Sequence, residues 1–299
     1  MKTPTYLSKG DCVGIVSTAR KITASELQPF LNLLESWGLC YKLGRTIDAS
    51  YHQFAGDDEL RSQDLQQFLD DDEIKAVWCA RGGYGTVRFI DTLDFSEFKK
   101  NPKWIIGYSD ITVLHSHIHN FGIETLHANM AMELDIKTEA TRTSVHDVLF
   151  GKEYGSEIAS EENKLNRIGM AEGALVGGNL SLLYSLIGSP SDIKTDGKIL
   201  FIEDLDEMLY HIDRMMQNLK RTGMLKNLAG LIVGGMSDMR DNTIPFGKTA
   251  EEIINDAISE YDYPVCYQFP AGHIMDNRAL VLGRKVILEV EKKSVKLSF

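Results

Sequence analysis

The feature that most constrains this chain is a set of short, continuous apolar runs that recur between amphipathic segments. DCVGIVST (11–18), EIKAVWCA (73–80), KWIIGY (103–108), KILFIED (198–204) and LAGLIVGG (228–235) are the clearest. A strand with no polar face is buried on both sides, as when helices cover a parallel sheet. The intervening segments fit that arrangement. TASELQPFLNLLESWG (23–38) spaces Leu27, Phe30, Leu31 and Leu34 as one helical face, and Thr23 with Glu26 fits a capping box at its start. DDELRSQDLQQFLDDD (57–72) does the same with Leu60, Leu65, Phe68 and Leu69. The expected fold class is therefore α/β.

The pattern weakens between about 136 and 170, which is polar and poorly periodic apart from an apolar patch at Val145 to Phe150. This segment reads as a linker, dividing the chain into domains 1–135 and 171–299. The second half then restarts. AEGALVGGNLSLLYSLIG (171–188) reads as strand, Gly-Gly-Asn turn and helix. EMLYHIDRMMQNLKRTG (207–223) aligns Met208, Ile212, Met215 and Leu219, and Gly223 ends that helix. TAEEIINDAISEY (249–261) is a further helix, PVCYQFPAGH (264–273) a strand entering a turn, and VILEVEKKSVKLSF (286–299) a hairpin.

Composition narrows the function. The 299 residues are 43% hydrophobic and 25% charged, an ordinary globular mixture. A net charge of −11 argues against a nucleic-acid partner, while leaving room for a local positive pocket. No apolar run approaches the ~18–20 residues of a membrane span. The N-terminus lacks the apolar core of a signal peptide, so no membrane partner and a cytoplasmic location are expected. Cys12, Cys40, Cys79 and Cys266 form no C-x-x-C pair, which argues against a zinc site or disulfide framework. In His115-x-His117-x-His119 only the outer pair shares a helical face, and no glutamate accompanies it; no metal or cofactor is expected. Met215 and Met216 read as core.

Ligands of open α/β sheets gather at the carboxyl ends of strands. RGGYG (81–85) follows the strand ending at Ala80, and Ser109 with Asp110 follows WIIGY. Glu203 and Asp204 end KILFIED, and His273 follows VCYQFPAG. Each has a bland reading: a helix cap, a salt-bridged carboxylate, a surface imidazole, a common glycine turn. Together they are the parts of a serine hydrolase. Ser109 is the candidate nucleophile and His273 its base. Glu203 is the candidate to orient His273, with Asp204 and Glu207 as competitors. The amides of Asp110, at a helix start, and of Gly83 are candidates for an oxyanion hole. Asp110 is expected to matter through its N–H rather than its carboxylate. Arg81, beside the glycine loop, is the candidate for binding a substrate carboxylate. A non-catalytic anion-binding protein would use the same loop and helix start, but would give Glu203 and His273 no reason to converge there.

Taken in order, R-G-G-Y-G (81–85), G-Y-S-D (107–110), G-G-N-L (177–180), F-I-E-D (201–204) and G-H (272–273) resemble the LD-carboxypeptidase family of serine peptidases, from about residue 10 to residue 285. The resemblance implies an N-terminal Rossmann-like parallel-sheet domain, a smaller C-terminal α/β domain and an active site in the cleft between them. It implies a triad of Ser109, Glu203 and His273 and an oxyanion hole from Gly83 and Asp110. It also implies a metal-free cytoplasmic homodimer. The family's usual reaction removes the terminal D-alanine of a murein tetrapeptide during peptidoglycan recycling; a second branch cleaves microcin C-like peptidyl or aminoacyl nucleotides with the same residues. Two departures stand out. His127-Ala128-Asn129 replaces the common His-Gly-Pro, on a segment expected to border the cleft, and Val281-Leu282-Gly283 replaces a Pro-Leu-Gly run.

Overall fold

Each of the five apolar runs becomes a strand, and the strands sort into two sheets. In the computed structural model the residues described are 1–152, 155–159 and 163–299, with 156–159 described by backbone alone. The strands in chain order begin with β1 (Cys12–Val16), β2 (Cys40–Leu43), β3 (Ile74–Cys79), β4 (Trp104–Gly107), β5 (Thr125–His127) and β6 (Gly155–Ala159). They continue with β7 (Gly169–Asn179), β8 (Ile199–Leu205), β9 (Gly230–Ser237), β10 (Val265–Cys266), β11 (Leu280–Leu282), β12 (Lys285–Val290) and β13 (Ser294–Ser298). The helices are α1 (Ala24–Ser36), α2 (Asp58–Asp70), α3 (Ser96–Lys100), α4 (Thr112–His119), α5 (Glu139–Leu149), α6 (Leu180–Leu186), α7 (Leu209–Arg221) and α8 (Ala250–Ala257).

The first sheet has the order β11-β5-β4-β3-β1-β2. Its pairs are parallel except β11 on β5, a strand from the second half of the chain that closes one edge. The second sheet runs β10-β9-β8-β7-β12-β13-β6, parallel from β10 to β7 and antiparallel beyond. The mixed α/β class and its parallel-rich sheets follow the hydrophobic pattern, and β12–β13 is the expected terminal hairpin. The capping box of Thr23 and Glu26 is formed, and α1 buries Leu27, Phe30, Leu31 and Leu34. Helix α7 buries Ile212, Met215, Met216 and Leu219, with Met208 at its N-cap.

The polar stretch 136–170 holds more structure than its sequence suggests, although 153–154 and 160–162 lie outside the described residues. Helix α5 packs Val145, Val148 and Leu149 into the core of the first sheet. Its Thr141 and Ser144 are buried too. Two polar residues on the inward face hide the helical period. They are inside because they bond to a loop from the far end of the chain.

The two halves meet where Gly-Gly-Asn, expected as a turn but lying at the end of β7 and leading directly into α6, touches α4. The Asn179 amide donates to Thr112 Oγ1 at 3.0 Å. A Cβ at Gly178 would lie 2.5 Å from that oxygen, so only glycine permits the approach.

Candidate active site

Strand β4 passes into a tight turn with no loop. At Gly107 a Cβ would come within 2.7 Å of Ile111 Cγ1, so glycine lets the chain reverse at once. Ser109 follows with φ +60°, a left-handed conformation costly for a residue with a Cβ. A single 3₁₀ turn, Ser109–Ile111, then leads into α4. Neither that turn nor α4 has a side-chain cap, so Ser109 is not there as a cap.

The Asp110 carboxylate is fully buried. Its Oδ2 accepts the amide of Thr86 at 3.0 Å and the Thr86 hydroxyl at 2.6 Å. Burial pushes its pKa up, and the bonds from Thr86 only partly offset this. The expectation that only the N–H of Asp110 matters is thus incomplete, because the carboxylate fastens the glycine loop beneath Ser109. Asp110→Ala would strand the buried Thr86 amide, the Thr86 hydroxyl still having Thr18 Oγ1 at 2.9 Å, and is expected to cost about 1–3 kcal/mol of stability, with Asp110→Asn milder because it keeps an acceptor. Its effect on turnover should stay below that of Glu203→Ala. Urea unfolding of both Asp110 variants checks this, and a wild-type midpoint in Asp110→Ala would refute it.

The glycine loop abuts the serine: a Cβ at Gly82 would lie 3.6 Å from Ser109 Oγ. Gly83 has φ +115°, and a Cβ there would strike the Arg20 side chain at 2.7 Å.

From the other half of the chain, β8 presents Glu203 and the loop after β10 presents His273. His273 Nδ1 lies 2.6 Å from Glu203 Oε2, and the His273 amide donates to the same oxygen at 3.2 Å. Glu203 is fully buried, and its Oε1 has no partner among the described residues. Gly272 (φ +107°) makes the approach possible, since a Cβ there would sit 2.7 Å from Glu203 Oε2. Burial pushes the imidazole pKa down, but the Glu203 charge and hydrogen bond outweigh it, so the net shift is upward from 6.5.

The competing carboxylates are engaged elsewhere. Successive residues on a strand face opposite sides. Asp204 accordingly accepts Asn179 Nδ2 at 2.8 Å and the Ser181 amide at 2.9 Å. Burial and the Glu203 charge raise its pKa to about 7. Glu207 Oε2 lies 2.6 Å from His211 Nδ1.

Ser109 and His273 line one cavity of about 520 Å³, together with Gly83, Arg81 and Arg20. The Tyr108 ring packs on the His273 imidazole at 4.7 Å between centroids. Arg81 Nη1 donates to the Lys21 carbonyl at 3.2 Å, and the side chain stays partly exposed. Reading the sequence misses Arg20, which stands past the carboxyl end of β1, a position the strand-end rule covers without singling out that residue. It also misses Met130 and Glu133, which line the cavity after β5, a strand too short to register in the hydrophobic pattern. The departure at 127–129 is corrected in place. His127, Ala128 and Asn129 are enclosed, and the cavity wall begins at Met130. The histidine run is dispersed into separate bonds: His115 to the Gly107 carbonyl and Thr125, His117 to Ser191, His119 to Lys198. Among the described residues no helix is long and apolar enough to cross a membrane.

A strained serine at a strand–helix turn, sharing a cavity with a carboxylate-bonded imidazole, has the build of a serine-type hydrolase. The chain belongs to the LD-carboxypeptidase family: the family's N-terminal domain matches residues 13–128 and its C-terminal domain residues 172–288. It is a serine-type peptidase. It is 38% identical over 301 residues to a probable murein peptide carboxypeptidase of Bacillus subtilis, covering 97% of this chain and 92% of that one. The crystal structure of muramoyltetrapeptide carboxypeptidase from Oxalobacter formigenes superposes with a TM-score of 0.86 at 27% identity, covering 96% of this chain and 97% of the other. MccF in complex with glutamyl sulfamoyl guanosine superposes at 0.87 with 20% identity over 99% and 98% of the two chains, a likeness of fold alone.

Proposed function

We propose that this protein is a serine LD-carboxypeptidase that hydrolyses the amide bond to the terminal D-alanine of murein tetrapeptides. The observation that carries this reading is the Glu203–His273 pair opening into the same cavity as the strained turn of Ser109. With Nδ1 held by Glu203, Nε2 is the nitrogen left to take the Ser109 proton. Ser109 Oγ then attacks the carbonyl carbon, and the amides of Gly83 and Asp110 stabilise the oxyanion. His273 returns the proton to the departing D-alanine nitrogen. Water, deprotonated by the same imidazole, cleaves the Ser109 ester. Arg81, with Arg20 beside it, supplies the positive charge that a carboxypeptidase needs for its substrate's terminal carboxylate. The recycling role, the cytoplasmic setting and a homodimer are carried by the family resemblance.

Mass-spectrometric product analysis with murein tri-, tetra- and pentapeptides tests the assignment. Loss of one alanine from the tetrapeptide, with the other two intact, is expected. Faster turnover of an aminoacyl sulfamoyl adenosine than of the tetrapeptide would instead assign the site to nucleotide antibiotics.

A further inference from the structure

The loop that carries His273 is gripped by the segment that crosses between the two sheets. Lys137 Nζ donates to the Ile274 carbonyl at 3.1 Å. Thr138 Oγ1 bonds Asp276 Oδ1 at 3.1 Å, and Thr141 Oγ1 reaches the Met275 carbonyl at 3.4 Å. Ser144 Oγ accepts the Ala279 amide at 2.9 Å. Residues 138 (the N-cap), 141 and 144 are spaced three apart, so they share one face of α5, and that face lies along the loop from Met275 to Ala279. The loop's far side is pinned by Asn277, whose Oδ1 accepts the Gly272 amide at 2.7 Å. These bonds explain why a helix in a polar stretch buries two hydroxyl side chains.

We propose that Lys137, with Thr138 and Thr141 at the start of α5, is a positioning element for His273, holding its loop so that the imidazole stays on Glu203 and in the cavity of Ser109. The inference rests on His273 being the base of the proposed reaction. A half-buried ammonium is a costly anchor for one carbonyl where a neutral donor would serve, so its charge has a second use here. Glu203 from β8 and Tyr108 from the turn after β4 touch the His273 ring, and the charges or dipoles of Asp204 on the other face of β8, His127 from β5 and Lys137 also act on it. The two carboxylates favour the imidazolium, and Lys137 opposes them, keeping more of the base in its neutral, reactive form.

The test uses the full-length protein and its Lys137→Met, Lys137→Arg and Thr138→Ala/Thr141→Ala variants. The His273 imidazole, assigned by comparison with His273→Ala, is titrated by NMR. Its midpoint should move to higher pH in Lys137→Met, where the opposing charge is lost, stay in place in Lys137→Arg, and move to lower pH in the threonine double variant, where the imidazole slips from Glu203. On murein tetrapeptide, kcat should fall roughly 10- to 100-fold in Lys137→Met and in the double variant, as expected for a displaced base, with little change in KM. An unmoved midpoint together with wild-type kcat in Lys137→Met overturns the proposal. If Lys137→Met does not fold, Lys137→Gln, which keeps a donor but no charge, carries the same titration. A wild-type enzyme inert toward tetrapeptide would sink the functional reading, while the NMR titration would still decide the role of Lys137.

Discussion

Ser109→Ala is expected to lower tetrapeptide turnover by on the order of 10⁴-fold while leaving the melting temperature close to that of the wild type. The hydroxyl caps neither the 3₁₀ turn nor α4, so its removal strands no helix donor. The neighbouring anchors, Asp110 to Thr86 and Asn179 to Thr112, do not involve it. The left-handed backbone at position 109 supplies a second readout. Glycine takes φ +60° without a Cβ penalty, so Ser109→Gly should be at least as stable as Ser109→Ala and equally inactive. Steady-state kinetics paired with thermal unfolding measures both. Residual turnover above about a hundredth of wild type would remove Ser109 from the role of nucleophile.

Glu203→Gln should cost about 10³- to 10⁴-fold in kcat with the fold retained. The substitution is nearly isosteric at a fully buried site, so packing around β8 is kept. What changes is the proton. A carboxylate at 2.6 Å requires a hydrogen on Nδ1 and leaves Nε2 free to accept. An amide –NH₂ turned toward Nδ1 favours the opposite tautomer, with Nε2 already protonated and useless as a base.

The pH dependence follows with a definite sign. The proposed reaction needs neutral imidazole, and the His273 pKa is raised from 6.5 in the folded protein because Glu203 outweighs burial. The acid limb of kcat/KM should therefore lie above the ordinary histidine value in the wild type and drop in Glu203→Gln. For stability, a raised folded-state pKa means that the His273–Glu203 pair contributes fully below about 6.5. The contribution is lost as pH rises through the folded-state pKa. The stability deficit of Glu203→Gln should accordingly be larger at pH 5 than at pH 9. A deficit independent of pH, measured by urea unfolding, would show that the pair is not titrating as a unit.

The fold was legible because its strands announce themselves. Runs such as AVWC and LFIE, buried on both faces, become β3 and β8, the central strands of helix-covered sheets. The place of the candidate site was legible for the same reason: polar residues at the ends of buried strands sit where a parallel sheet collects its ligands. Helix α5 was not legible. Thr141 and Ser144 occupy its inward face, and their partners lie more than a hundred residues away in sequence. Arg20 shows another limit. It is one residue among several past the end of β1, and only the course of the glycine loop brings its side chain over Gly83.

The sequence by itself determined the α/β class, the buried strands β1, β3, β4, β8 and β9, and the presence of a serine, an imidazole and carboxylates at strand ends, because hydrophobic periodicity and strand-end position are local properties. Which carboxylate meets His273 was decided only in three dimensions. Glu203 was the candidate, but no local feature of the sequence excluded Asp204 or Glu207. Strand alternation turns Asp204 toward Asn179 and Ser181, a local hydrogen bond takes Glu207 to His211, and the missing Cβ of Gly272 lets the His273 loop close on Glu203. Pairing of that kind depends on where distant segments of the chain come to rest against each other, which a linear pattern does not encode.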